Sequence, residues 1–188
     1  MRNQFAILFM SLLGFAAMTG LLTHLIFVPA QRQHVSFGDA PSGWFEVAWP
    51  FQRDQFPPGL AFECRTESCA YYLRLTFRAK VGFCDCTRGV ADDEDLDRMG
   101  DIDFLGANAA PAGPGTQITL AGMQGRTRLY LIRGRDGLNV PALSFVVSKT
   151  CDVVVATASG ANLAGSQAAA QAFLNDEAMR LWIERVLN

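Results

Sequence analysis

With 188 residues, half of them hydrophobic, 18% charged and a formal net charge of -2, the chain has the composition of one core-bearing domain, which excludes a disordered polymer and a second full domain. The near-neutral balance also excludes the basic signature of a nucleic-acid binder, so no nucleic acid is expected among its partners. Positive charge is almost all arginine, Lys80 and Lys149 being the lysines, and genome composition explains that bias as well as anion recognition does.

Residues 5–28 read FAILFMSLLGFAAMTGLLTHLIFV, uncharged and interrupted only by Ser11, Thr19, Thr23 and His24. A helix of roughly 20 residues crosses about 30 Å of hydrocarbon, and pairs its own peptide groups while doing so. Residues 1–28 are therefore expected to be a single-pass anchor in the inner membrane, through residues 5–28, with the large C-terminal body in the periplasm. A cleavable signal peptide is the competing reading, with Val28-Pro29-Ala30 near the cleavage window. The run exceeds the about 7–15 residues of an ordinary signal core, and proline is unfavourable in that window. Both readings export the body, and no cysteine follows the run to carry a lipid. Residues 29–42, polar with Gly and Pro, read as a stalk, and residues 43–188 as the periplasmic globular domain.

The domain reads as rich in short strands. Residues 44–49 form a first candidate, stopped by Pro50, and residues 60–64 a second, after the turn-forming Pro57-Pro58-Gly59. Over residues 69–81, Cys69, Tyr71, Leu73, Leu75, Phe77, Ala79 and Val81 share one face, and Arg74, Thr76, Arg78 and Lys80 the other. This period of two predicts a strand with one face on a core and a basic face toward solvent or a partner. Residues 118–120, 127–132, 142–148 and 151–156 read as consecutive hairpins, with Gly122-Met123-Gln124-Gly125 and Asp136-Gly137 as turns.

Two stretches read as helical. Residues 91–104 begin with acids, which suit a helix N-terminus, and set Leu96 and Met99 on one side. At the C-terminus, Ser166 is expected to cap an Ala-rich helix through Leu174, and residues 176–187 place Met179, Trp182, Ile183 and Val186 on one stripe, with Trp182 as anchor. The Ala/Gly-rich residues 107–115 read as a surface loop. The expected class is α+β: an N-terminal transmembrane helix, then an antiparallel β-rich domain, sandwich-like or a curved sheet, with a C-terminal helix packed on it.

Cys64, Cys69, Cys84, Cys86 and Cys151 all fall in the exported part, where thiols pair. Cys64 and Cys69 flank a short loop, and a bridge between them is expected to contribute ~2 kcal/mol. One of Cys84 and Cys86 is expected to reach Cys151, closing a longer loop and leaving one cysteine over, with the full connectivity open. The same residues permit a thiol redox site or a metal site. Cys84-Asp85-Cys86 departs from a redox Cys-x-x-Cys, since an acid between the sulfurs raises thiol pKa, and thiolate zinc is disfavoured where thiols oxidise.

Both histidines, His24 and His34, precede the domain, so Ser-His-Asp or Cys-His nucleophilic catalysis and His-ligated metal lack their imidazole there. No catalytic residue, metal or cofactor is expected. The acids Asp92, Asp93, Glu94, Asp95, Asp97, Asp101 and Asp103 lack the Gly and Glu positions of a calcium loop and read as a solvated helix start. A carboxylate hydrolase would need them in a deep pocket. Trp44, Phe45, Trp49, Phe51 and Phe56 suit a core, or stacking on a sugar or a partner. Arg74, Arg78, Lys80, Arg126 and Arg128 are partner-contact candidates, together with Arg133 and Arg135, and pairing with the chain's own carboxylates is the alternative.

Residues 77–104, FRAKVGFCDCTRGVADDEDLDRMGDIDF, resemble membrane-anchored envelope proteins of proteobacteria, most specifically in Gly-Phe-Cys-x-Cys and Gly-Val-Ala-Asp-Asp. The resemblance covers the middle of the chain, carries no catalytic residue and implies location only. The expectation is a non-enzymatic, anchored periplasmic domain that binds or helps assemble another envelope protein. The alternative is a thiol-dependent redox or metal-handling factor using Cys84, Cys86 and Cys151.

Overall fold

A computed structural model describes residues 37–69, 71–106, 108–133, 138–160 and 162–187. The expected anchor, the two histidines and the Asp136-Gly137 turn with Arg135 lie outside the described residues. Among the described residues, no helix is long and apolar enough to cross a membrane.

The domain is mostly β: a sheet of eight antiparallel strands with helices on it. In chain order these are β1 (Trp44–Val47), β2 (Leu60–Cys64), α1 (Thr66–Cys69), β3 (Leu73–Lys80), α2 (Asp93–Met99), a 3₁₀ turn (Ile102–Leu105), β4 (Ala109–Pro111), β5 (Thr116–Leu120), β6 (Met123–Arg133), β7 (Asn139–Lys149), β8 (Asp152–Gly160), α3 (Leu163–Leu174) and α4 (Glu177–Val186). The sheet runs β1-β2-β3-β8-β7-β6-β4, and β5 pairs with the first half of β6 while β4 pairs with its second half. The expected hairpins β5-β6 and β7-β8 are present, as is the β6-β7 pairing.

Local chemistry moves several expected boundaries. Leu120 pairs with Met123, so Ala121 and Gly122, with φ of 48° and 79°, make the whole β5-β6 turn. Two left-handed residues match the twist of the flanking strands, so Met123, Gln124 and Gly125 belong to β6 and not to the turn. The strand expected from Cys69 starts at Leu73, because Cys69 closes the short α1. Ser166 lies inside α3. Asn162 is the cap, its side chain accepting from the Gly165 amide, and Ser166 Oγ donates to the Asn162 carbonyl one turn back. The loop expected over residues 107–115 contains β4, held by its pairing to β6.

One face of the sheet carries the large apolar core under the C-terminal helices. Leu73, Leu75 and Phe77 of β3, Phe145 of β7 and Val154, Ala156 and Ala158 of β8 meet Ala170, Phe173 and Leu174 of α3 and Met179, Trp182 and Ile183 of α4. Aromatic rings lock the layers: Phe173 lies 4.9 Å from Phe62 and 5.8 Å from Phe77, and Trp182 meets Phe77 edge-on at 5.0 Å. Such pairs add about 0.5–1.5 kcal/mol beyond burial. Phe37, placed in the stalk by its polar neighbours, is 1% exposed and stacks on Phe173 at 5.3 Å. It belongs to the compact unit Val35–Asn188.

The opposite face carries a smaller core. Leu96 and Met99 of α2, both fully buried, and Ile102 pack on Tyr130, Ile132, Ala142, Val146, Val153 and Val155. α2 starts at Asp92, whose carboxylate accepts from the Asp95 amide, and stops at Gly100, whose amide donates to the Leu96 carbonyl. A Cβ on Gly100 would lie 2.9 Å from both that carbonyl and Ser144 Oγ. Only glycine lets the chain leave the helix so close to the sheet.

Candidate functional site

The second face is where charge gathers. Arg78 stands opposite Val155, which faces Val146, which in turn faces Arg126, so two basic side chains bracket an apolar strip across four strands. Arg128 and Lys80 extend the two basic flanks. α2 lies over the strip, and beside Leu96 and Met99 it presents Asp93 and Asp97, while Asp101 follows just past its end, ahead of the 3₁₀ turn. Each meets a different arginine.

Asp93 Oδ1 accepts from Arg126 Nε at 2.9 Å and Nη2 at 2.7 Å, and its other oxygen accepts from the Gly115 amide at 2.8 Å. Those bonds, the Gly115 amide first, hold its carboxyl below the usual aspartate range. Asp97 accepts from Arg128 Nη1 at 3.0 Å and from the Tyr130 hydroxyl. Burial first, then that bond, pushes the Tyr130 phenol above its ordinary value.

Asp101 accepts from Arg78 Nε at 2.6 Å and Nη2 at 2.7 Å, and lies 2.8 Å from Lys80 Nζ. Arg78 turns its remaining edge to Asp54, on the β1-β2 loop, with both contacts at 2.8 Å. Lys80 also donates to the Met99 carbonyl at 2.7 Å. Two cations and two carboxylates cancel in charge, and the planar guanidinium is bonded along both edges, the geometry in which a buried ion cluster is tolerated. Aromatic rings enclose it: Phe104 and Phe56 lie 5.1 and 5.4 Å from the Arg78 guanidinium carbon, and Phe83 5.2 Å from Lys80 Nζ. The hydrogen bonds from Arg78 dominate at Asp54 and lower its carboxyl to about 2. At Arg78 burial opposes the charge, yet the bonds to Asp54 and Asp101 prevail and raise its pKa above the ordinary arginine value.

The basic face of β3 was expected to meet solvent or a partner. Instead Arg78 and Lys80 are 2% and 4% exposed. Period-two alternation marks a second face but does not say whether water or another layer covers it. Pairing with the chain's own carboxylates, the alternative reading, accounts for Arg78, Lys80, Arg126 and Arg128. The acids read as a solvated helix start supply most of those partners. Asp54 was not singled out from sequence, since an aspartate in a Pro-rich loop has no pattern that distinguishes it from a turn residue.

Arg74, the remaining basic candidate, stays at the surface with 41% of its side chain exposed. It pairs with Glu63, as does the Tyr72 hydroxyl at 2.7 Å, and these two bonds, Tyr72 first, hold the Glu63 carboxyl below its ordinary range. Glu63 stands opposite Phe45 of the edge strand β1, and Phe45 is 52% exposed with the Arg65 guanidinium 5.3 Å from its ring centroid. An exposed Phe, Tyr and Arg group beside β1, whose one strand partner among the described residues is β2, has the composition of a contact surface.

The cysteines form two bonds. Cys64 joins Cys69 with α-carbons 5.9 Å apart, and Cys86 joins Cys151 across 65 residues. Cys84 keeps its thiol. Its amide donates to the Cys151 carbonyl at 3.1 Å, and its Sγ lies 3.4 Å from the Thr150 carbonyl and 3.6 Å from that of Asp152. Burial, then the charges of Asp152 and Asp85, pushes this thiol above its ordinary value. Between the cysteines, the Asp85 carboxylate accepts from the Thr87 hydroxyl and from the Thr87 and Arg88 amides.

The apolar face offers little room. A cavity of about 10 Å³ between sheet and helices, near the volume one water requires, is lined by apolar side chains including Leu120, Phe145, Leu174 and Met179. No model of a known protein family matches the chain, and no curated protein does.

Proposed function

We propose that the chain is an inner-membrane protein anchored by residues 5–28, with a non-enzymatic periplasmic domain that binds or helps assemble another envelope protein. The observation that carries the binding role is the exposed Phe45, Tyr72 and Arg74 group around Glu63 at the edge strand β1. Aromatic rings with arginine supply contact energy at protein interfaces, and a strand edge with no partner among the described residues supplies backbone groups for another chain. The two cysteine pairs at bonding distance support an oxidising compartment, and the uncharged run supports export.

Alkaline phosphatase fused at the C-terminus is expected to be active, and a fusion active only with a cytosolic reporter contradicts the topology. Mild solubilisation and capture from native membranes is expected to recover a stoichiometric envelope partner that Phe45→Ala with Tyr72→Ala releases. Recovery unchanged by that pair of substitutions removes the proposed surface. A thiol-dependent factor is the second reading, and the specific observation in its favour is the Cys84 thiol set against the carbonyls of Thr150 and Asp152, the two neighbours of the bonded Cys151.

A further inference from the structure

We infer that Cys84 is an internal exchange partner of the Cys86–Cys151 bond, so that Cys151 can be held from either of two cysteines and the acidic segment over the basic face has two tether lengths. The inference deepens the thiol reading and rests on it for the presence of that bond. Geometry supplies the first ground. A backbone hydrogen bond from the Cys84 amide to the Cys151 carbonyl fixes the two residues against each other, and standard bond lengths then leave their α-carbons within about 6 Å, inside the range a disulfide spans. The Cys84 sulfur lies against the carbonyls of both neighbours of Cys151, so it is already beside the residue it would attack.

The chain around it supplies the second ground. Gly82 and Gly89, with φ of 68° and 60°, bracket the segment, and positive φ at glycine lets the backbone redirect without a Cβ clash. Between them Phe83 packs on Phe56, while the stretch after Cys84 is held by the polar turn at Asp85 and by one bridge, Asp85 to Gly89.

In the exchange the Cys84 thiolate attacks Cys151 Sγ, a Cys84–Cys151 bond forms, and the Cys86–Cys151 bond breaks. The electron pair leaves on Cys86 Sγ, which takes a proton from water to replace the one Cys84 gave up. One disulfide and one thiol stand on each side, so no oxidant or reductant is consumed. The bond moves two residues toward β3 and frees Cys86. The tether to α2 lengthens by those two residues, on the stretch where Arg88 pairs with Asp92 and Asp95. Burial and the nearby Asp152 and Asp85 keep the Cys84 thiol protonated near neutrality, which holds the bond on Cys86 until the thiolate is released.

The test is peptide mapping of the intact, membrane-extracted protein after differential alkylation and acid quenching, at neutral and at mildly alkaline pH. At neutral pH the label is expected on Cys84 alone. At alkaline pH Cys86 takes label while a Cys84–Cys151 peptide appears, at a rate rising about tenfold per pH unit below the thiol pKa. Cys84→Ser abolishes Cys86 labelling, and Cys86→Ser yields a Cys84–Cys151 bond under oxidised glutathione. A Cys86 that stays unlabelled across that range, or a Cys86→Ser protein whose Cys84 and Cys151 both remain alkylatable, overturns the exchange while leaving the bond itself intact. Label on both Cys86 and Cys151 in the untreated protein overturns the exchange and the pairing together.

Discussion

The two faces of the sheet are closed by different physics. Under α3 and α4 the cover is apolar, with Phe62, Phe77, Phe173 and Trp182 in ring contact. Under α2 the cover combines a small apolar strip with Asp93, Asp97 and Asp101 set on Arg126, Arg128, Arg78 and Lys80. The first face tolerates changes that conserve volume. The second depends on each charge keeping its partner, because a buried ion without one retains its full desolvation penalty.

The sharpest way to break this contrast is to conserve shape on both sides. Asp101→Asn keeps volume but leaves Arg78 and Lys80 short of a counter-charge, and it is expected to cost about 3–5 kcal/mol in urea unfolding. Leu75→Met on the apolar face, also volume-conserving, is expected to cost less than about 1.5 kcal/mol. Equal losses would erase the distinction. Covalent closure follows in size: losing the Cys86–Cys151 bond is expected to cost about 4 kcal/mol in the chain-entropy model, against about 2 kcal/mol for Cys64–Cys69, whose partners are only five residues apart. Calorimetry of the Cys151→Ser and Cys69→Ser proteins ranks them, since without Cys151 neither Cys84 nor Cys86 can close the long loop.

Smaller effects probe the fit of the α2 cover. Gly100→Ala drives a Cβ to 2.9 Å from the Leu96 carbonyl and Ser144 Oγ and is expected to cost about 1–3 kcal/mol. Gly113→Ala, with nothing within 4 Å, is expected to change stability by less than about 0.5 kcal/mol. A pH-dependent effect appears in acid. Asp54 titrates at about 2 in the folded protein, below its ordinary value of 3.8, so its contribution is present above that ordinary value and fades as pH falls toward about 2. Asp54→Asn is expected to flatten that part of the stability profile, measured by urea unfolding at each pH, whereas Leu75→Met leaves it unchanged.

The same contrast decides what was legible in the sequence. Alternating Leu73, Leu75 and Phe77 and the stripe of Met179, Trp182 and Ile183 announced the apolar face, because burial of one strand face and one helix stripe is periodic. The Cys64–Cys69 pairing was legible from the short spacing of two cysteines in a part of the chain read as exported. The cover of the second face was not: Arg78 looks the same in a sequence whether water or Asp101 solvates it, and its partners lie on separate segments brought together by the fold. Phe37 was missed for a related reason, since one buried ring in a polar stretch has no period to reveal it. The four-residue spacing of Asp93 and Asp97 was the available clue, matching a helix that turns one side to the arginines of the sheet, whereas Asp101 follows the helix end at Gly100.

The central claim is that Arg78 and Asp101 depend on each other inside the fold. A double-mutant cycle in urea with Arg78→Met and Asp101→Leu measures it directly. Each single change is expected to cost about 3–5 kcal/mol, and the double variant clearly less than their sum, since the Asp54 and Lys80 charges that remain still cancel. Losses that add to within about 0.5 kcal/mol would show two independent side chains and contradict closure by charge.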